Sequence, residues 1–268
     1  MKILIVGAGN MGKTYAKSLL SNYFTQPASL FLLDKQRVSD PYLKEVPLEN
    51  IATVATSTIS QADIVLLAVK PQDFDALAPT LVPFLHSDQL LLSIMAGVTM
   101  QTISTRLQLP KIVRAMPNLP AQIGMGMTVF SCTAAVDKKE LFIIQNLLNA
   151  TGKSIYVEDE NLLNAATAIS GSGPAYVYYF MQAMIEKAEQ MGFHKSAAEL
   201  LVNQTFMGAV HLHNQYDFTC KEWIDRVASK GGTTEAALHT FDHNQLAAGI
   251  SEGLQSALER AIVLGHIQ

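Results

Sequence analysis

Two glycine clusters carry most of the chemistry legible in this sequence. The first is Gly7-Ala8-Gly9-Asn10-Met11-Gly12, which follows the apolar run Lys2–Val6 and opens a helical stretch. A G-x-G-x-x-G between a strand and a helix suits a dinucleotide. Gly7 permits the tight turn, Gly9 lets the backbone approach a pyrophosphate, and Gly12 lets the helix pack close to the strand. The helix N-terminus then faces the phosphates. Asp34 ends the second strand-like run, 22 residues after Gly12. A carboxylate there accepts from both ribose hydroxyls of NAD and repels the 2′-phosphate of NADP, so NADH stands ahead of NADPH. Lys35 and Arg37 follow directly and would take that phosphate if the loop turned them inward. The plainer reading of Asp34 is a turn residue at a strand end.

The second cluster is Ser229-Lys230-Gly231-Gly232-Thr233-Thr234, ahead of the helical stretch Glu235–Phe241. Two glycines and two threonines at a helix start present free amides, hydroxyls and the positive end of the dipole, which together suit a carboxylate. The competing reading is a glycine linker capped by Thr233. Ala68-Val69-Lys70-Pro71-Gln72 and Ser93-Ile94-Met95-Ala96-Gly97 end two further apolar runs. They are candidate walls for the ribose and nicotinamide, because doubly wound sheets bind ligands at the carboxyl ends of their strands. Ordinary strand-to-helix turns would look the same. Ser170-Gly171-Ser172-Gly173-Pro174 lacks the pattern of a nucleophile elbow and reads as a helix start, with Ser172 or Gly173 as cap. His239 and His243 are spaced i, i+4 without an evident third ligand, and read as a surface pair rather than a metal site. Cys132 and Cys220 show no metal or redox spacing and read as free thiols.

These residues need a scaffold, and the chain's periodicity supplies one. Short apolar runs at Lys2–Val6, Leu30–Leu33, Ile64–Val69, Leu90–Ile94, Ile112–Ala115, Thr128–Ser131 and Ser154–Val157 alternate with helical stretches. Those stretches are Met11–Ser21, Asp73–Leu85, Thr99–Leu107 and Asp137–Ala150. Several runs are apolar at every position, as strands covered on both faces must be, so the pattern predicts a parallel α/β sheet. After Val157 the strand signal stops and the pattern is helical. Ser196–Glu199 and Thr219–Glu222 are predicted capping boxes, and Leu246, Ile250, Leu254, Ala257 and Ala261 mark a last helix. The predicted fold is an α/β Rossmann-like dinucleotide-binding domain, residues 1–158, followed by an all-α dimerisation domain, residues 159–268. Ala175–Ile185 is apolar or aromatic nearly all round and must be buried on every side, which calls for a partner chain.

Composition bounds the alternatives. With 268 residues, 49% hydrophobic and 16% charged, the chain is too apolar to be disordered. A net charge of −4 without a basic block gives nucleic acid no electrostatic footprint. No run reaches the ~20 apolar residues of a membrane span, and the start is too short in its apolar run for a signal peptide. The expectation is a soluble, cytoplasmic protein.

Taken in order, these motifs resemble the Δ1-pyrroline-5-carboxylate reductase family. The resemblance runs through Gly7–Gly12, Ala68–Gln72, Ala96-Gly97-Val98, Arg114-Ala115-Met116-Pro117-Asn118-Leu119-Pro120, Gly171–Tyr176, Gln204-Thr205 and Gly231–Thr234. Lys230 stands where the family usually has Pro, and Leu119 where Thr is common. The resemblance implies reduction of L-Δ1-pyrroline-5-carboxylate to L-proline with NAD(P)H, the last step of proline synthesis. It implies a homodimer with interlocking helical domains, and dimers that assemble into decamers. By resemblance Gly7, Gly9, Asn10, Met11 and Gly12 hold the pyrophosphate, and Ala68, Val69, Lys70, Pro71, Ala96 and Gly97 place the ribose and nicotinamide. Ser229, Gly231, Gly232, Thr233 and Thr234 take the substrate, with the Thr234 hydroxyl on the ring nitrogen. The alternatives are a β-hydroxyacid dehydrogenase and a non-catalytic dinucleotide-binding regulator. The first uses a lysine on the first helix after the sheet domain, and Asn161–Ser170 contains none. The second would have no need of the Gly231–Thr234 cluster.

Overall fold

The computed structural model describes residues 1–36 and 40–266. The chain forms two compact units: Met1–Ser172 together with the end of the chain from Ala257, and Gly173–Ser256.

The first unit is built on eight strands: β1 (Ile3–Val6), β2 (Leu30–Leu33), β3 (Ile51–Ala52), β4 (Ile64–Leu67), β5 (Leu90–Ser93), β6 (Ile112–Met116), β7 (Gly126–Cys132) and β8 (Gly152–Tyr156). Their order is β3-β2-β1-β4-β5-β6-β7-β8. Every residue of β1, β2, β4 and β5 is buried. Ile3, Ile5, Leu30, Leu32, Ile64 and Leu66 join one core. Their neighbours Leu4, Val6, Phe31, Leu33, Val65 and Leu67 join the other. Successive side chains of a strand point to opposite faces, so a sheet with two cores needs apolar residues without alternation.

Helices α1 (Asn10–Ser21) and α4 (Lys138–Asn149) contribute Tyr15, Leu19, Ile144 and Leu148 to the first core. Helices α2 (Pro71–Leu81) and α3 (Met100–Leu107) contribute Phe74, Ala78, Ile103 and Leu107 to the second. Helix α2 starts with Pro71 in its first turn and stops at Leu81, four residues short of the predicted end, because Pro83 follows. Two features of the sheet are absent from the apolar pattern. Strand β3 is only two residues long, too short for any periodicity. Strand β7 runs antiparallel to β6, although β8 runs parallel to β7. The connection between β6 and β7, residues 117–125, holds only the short turn Leu119–Ile123, and a parallel return needs a longer crossover.

Beyond β8 come α5 (Leu162–Ala166), a π-helical turn at Thr167–Gly171, and α6 (Gly173–Gln190). The expected cap at Ser172 does not form: its backbone is helical (φ −85°, ψ −17°), so the Ser-Gly-Ser-Gly segment is a widened helical turn. Leu163, Ala166 and Ala168 are buried. This burial keeps the chain in the first unit as far as Ser172, past the predicted boundary at residue 158. The second unit holds α6, α7 (Lys195–Gln215), α8 (Cys220–Val227), α9 (Thr233–His243) and the start of α10 (Leu246–His266), whose end belongs to the first unit. The Thr219–Glu222 capping box opens α8. The Ser196–Glu199 box does not form, because α7 begins two residues earlier than a Ser196 cap requires, at Lys195 with His194 as its cap. Nor is Ala175–Ile185 buried within one chain: α6 has no buried residue at all.

Candidate active site

The carboxyl ends of β1, β4 and β5 are neighbours in the sheet, and the predicted nucleotide residues lie in the turns that leave them. Gly7 sits at φ +97°, and a Cβ there would lie 2.8 Å from the Ala68 carbonyl carbon and the Val69 nitrogen. The glycine loop and the Ala68-Val69-Lys70 turn therefore touch backbone to backbone. A Cβ on Gly12 would collide with the Gly7 carbonyl, whereas one on Gly9 would meet nothing within 4 Å. The loop is thus closed against its own sheet and open at Gly9, the side where a pyrophosphate would approach. Gly9 is the N-cap of α1 and no side chain caps this helix. The first intrahelical bond runs from Lys13 N to Gly9 O, which leaves the amides of Asn10, Met11 and Gly12 ahead of it. Tyr15, one turn on, is fully buried, and burial pushes its phenol up to about 12. These residues fit a dinucleotide.

Asp34 is half-buried just beyond β2. Its Oδ2 accepts from the Ala8 amide at 2.6 Å and its Oδ1 from the Gln36 amide at 2.8 Å. The carboxylate is thereby fixed against the glycine loop. Lys35 reaches Asp73 at 3.5 Å. Arg37 lies outside the described residues. Lys70 is the N-cap of α2, and Gly97 turns the β5–α3 connection at φ +80°.

In the second unit, Gly232 is the N-cap of α9, again without a side-chain cap. Here too the first intrahelical bond, Ala236 N to Gly232 O, follows the amides of Thr233, Thr234 and Glu235. Helices α3, α4 and α8 receive a side-chain cap from Thr99, Asp137 and Thr219, whereas α2 and α7 have none either, so the glycine cap is what α1 and α9 share. Thr233 is the first helical residue, so it is not the cap that the linker reading requires. A Cβ on Gly232 would lie 2.5 Å from Ser229 Oγ, which ties the loop tightly to Ser229. The Gly231 amide donates at 2.6 Å to Oε2 of Glu235, the chain's own carboxylate. A glutamate at the third position of a helix can reach back in this way, and its spacing from Gly232 is the signal that sequence reasoning missed.

A dinucleotide loop at the carboxyl edge of a two-cored sheet, followed by a helical unit with a second glycine-capped helix start, suits a nicotinamide-dependent oxidoreductase. Comparison with known proteins narrows this. The family model described as pyrroline-5-carboxylate reductase dimerisation matches residues 160–264, and one described as NADP oxidoreductase coenzyme F420-dependent matches residues 2–97. A curated pyrroline-5-carboxylate reductase of Pseudomonas aeruginosa is 34% identical, covering 99% of this chain and 97% of the relative. Among solved structures, a pyrroline-5-carboxylate reductase of Coxiella burnetii has a TM-score of 0.87 at 31% identity, covering 98% of each chain. A pyrroline carboxylate reductase of Plasmodium falciparum with NADP bound also reaches 0.87, at 25% identity, covering 99% of this chain and 98% of that one. This chain belongs to the pyrroline-5-carboxylate reductase family.

Proposed function

We propose that this chain reduces L-Δ1-pyrroline-5-carboxylate to L-proline with NAD(P)H in the cytoplasm, and that it works as a homodimer formed through its helical half, with dimers assembling into decamers. The observation that carries the reading is the pair of glycine-capped, otherwise uncapped helix starts, α1 and α9, in a chain that matches this family over its whole length. Each offers amides and a positive dipole end to an anion, one to a pyrophosphate and the other to a substrate carboxylate.

When bound, the reduced nicotinamide supplies the hydride, which adds to the imine carbon. The chain's own work is to bind and orient. Asn10, Met11 and Gly12 face the pyrophosphate with their amides, with Gly7 and Gly9 shaping the turn. Ala68, Val69, Lys70, Pro71, Ala96 and Gly97 form the strand-end turns beside it. In the second unit Ser229, Gly232, Thr233 and Thr234 hold the carboxylate and the ring nitrogen. The imine nitrogen is basic enough to enter protonated, so no histidine or glutamate is required as acid. Where it enters neutral, the Thr234 hydroxyl or a water bound to it delivers the proton.

For the cofactor, Asp34 supports NADH. Its two backbone bonds leave each carboxylate oxygen a further lone pair for a ribose hydroxyl, while its charge opposes a 2′-phosphate. The deciding experiment measures NADH and NADPH oxidation with the five- and six-membered cyclic imines and with a panel of 3-hydroxy acids. Turnover fastest with the five-membered imine is expected. No turnover of it overturns the reading. A preference for NADPH of tenfold or more, ~1.4 kcal/mol of transition-state binding, overturns the Asp34 argument.

A further inference from the structure

Arg114 lies on β6, opposite Ser93 at the end of β5, and its side chain is only 5% exposed. Its Nη1 donates at 2.9 Å to Oε1 of Glu160, and the same oxygen accepts from the Met100 amide at 2.8 Å. Glu160 lies past β8, just ahead of α5, so one carboxylate oxygen joins three parts of the first unit. Met100 is the first residue of α3 and ends the turn that carries Ala96 and Gly97. On the other shoulder of that turn, Gly97 lies against the end of α10. A Cβ on Gly97 would come within 3.2 Å of the Leu264 carbonyl, so the turn is confined there by backbone rather than by a movable side chain.

A buried ion pair is poor value as a source of stability, because desolvation offsets most of its attraction and an apolar pair of similar volume does as well. Its advantage is direction: a guanidinium and a carboxylate satisfy each other and a backbone amide in only one geometry. Here that geometry fixes a turn at the carboxyl end of a central strand, where a doubly wound sheet binds its ligand. We propose that Arg114 and Glu160 are positioning residues for the dinucleotide, holding the Ala96–Gly97 turn at the position the nicotinamide ribose requires. The inference rests on the dinucleotide part of the proposed function and is independent of the imine.

The test is a fluorescence titration of NADH into the purified full-length protein without any imine. Arg114→Met combined with Glu160→Leu removes the pair and leaves no buried charge behind. The folded double variant is expected to bind NADH at least fivefold more weakly than wild type. A folded double variant that binds NADH within fivefold of wild type assigns the pair a structural role only and overturns the proposal. If the double variant does not fold, Glu160→Gln decides, since it keeps the volume and an acceptor for Met100 but loses the charge. A threefold or greater loss of NADH affinity then supports the proposal, and a smaller one overturns it. A wild type that binds NADH and leaves pyrroline-5-carboxylate untouched overturns the proposed reaction and not this inference.

Discussion

Thr234 and Glu235 stand side by side in the first turn of α9 with opposite consequences for an anionic substrate. Thr234 brings a neutral hydroxyl. Thr234→Val removes it and keeps the β-branched shape. Loss of one hydrogen bond to a charged or charging group costs ~1.5–3 kcal/mol, so kcat/KM for the imine is expected to fall roughly ten- to 150-fold. The loss appears in kcat if the hydroxyl acts through the transition state, and in KM if it only orients the substrate. Activity within twofold of wild type would show that it does neither. Glu235 brings a negative charge to the Gly231 amide. Glu235→Gln keeps an acceptor for that amide and deletes the charge. Relief of repulsion in a solvated site is worth about 0.5–1 kcal/mol, so KM for the imine is expected to fall two- to fivefold with the KM for NADH unchanged. An unchanged or higher imine KM would place Glu235 outside the substrate's field. At this scale the glycines were legible, since a close approach admits no other residue. Glu235 was not, because its partner is a backbone amide, which leaves no mark in a sequence, and Glu160 was not, because its partners Met100 and Arg114 lie 60 and 46 residues away along the chain.

The elements themselves were read from two signals, and each failed where its physics stops. Apolar runs located seven of the strands, but a two-residue edge strand such as β3 has no period, and strand direction at β7 depends on a connection rather than on side chains. Capping boxes located the start of α8, where Thr219 and Glu222 exchange bonds with each other's backbone. The Ser196–Glu199 pattern was equally good in sequence and lost to a helix that starts two residues earlier. The α8 box makes a pH prediction. Hydrogen bonds from the Thr219 amide, then from its hydroxyl, hold the Glu222 carboxyl below its ordinary value. A depressed folded-state pKa contributes stability that is fully present above the unfolded value and is lost as pH falls through the folded one. Thr219→Ala removes the hydroxyl bond. In NMR titrations of the two proteins the Glu222 carboxyl of the variant is expected to titrate closer to the ordinary glutamate value. The melting-temperature gap between them is expected to narrow from pH 6 to pH 3. A Glu222 titration identical in both proteins would refute the role given to the hydroxyl.

The second unit cannot stand on its own packing. Among its described residues, Gly173–Ser256, only Ala198 and Val202 are buried hydrophobics. A unit of this size with two buried side chains has no core of its own, since stability scales with apolar area removed from water. The missing cover is visible on α6, whose Tyr178 and Tyr179 are 57% and 77% exposed, with Val177 and Met184 beside them. Leu200, Met207 and Val210 on α7 are exposed as well. Continuous apolar surface on successive helices is what a subunit of a homo-oligomer presents, and the dimerisation model of the family matches these residues. The sequence led to this through the all-round apolar helix Ala175–Ile185, and a single chain leaves that helix open because its cover belongs to another copy. Folding of the second unit and association are then one event. The melting temperature is expected to rise with protein concentration, because anything that binds only the folded chain stabilises it by mass action. Sedimentation at decreasing concentration is expected to show dimers or larger species until activity and the helical signal of the second unit disappear together. Tyr179→Glu places an unpartnered charge on this exposed apolar face, and is expected to yield a chain that neither associates nor turns over. A stable monomer with full activity at low concentration would refute the assignment, and the apolar faces of α6 and α7 would then need another occupant.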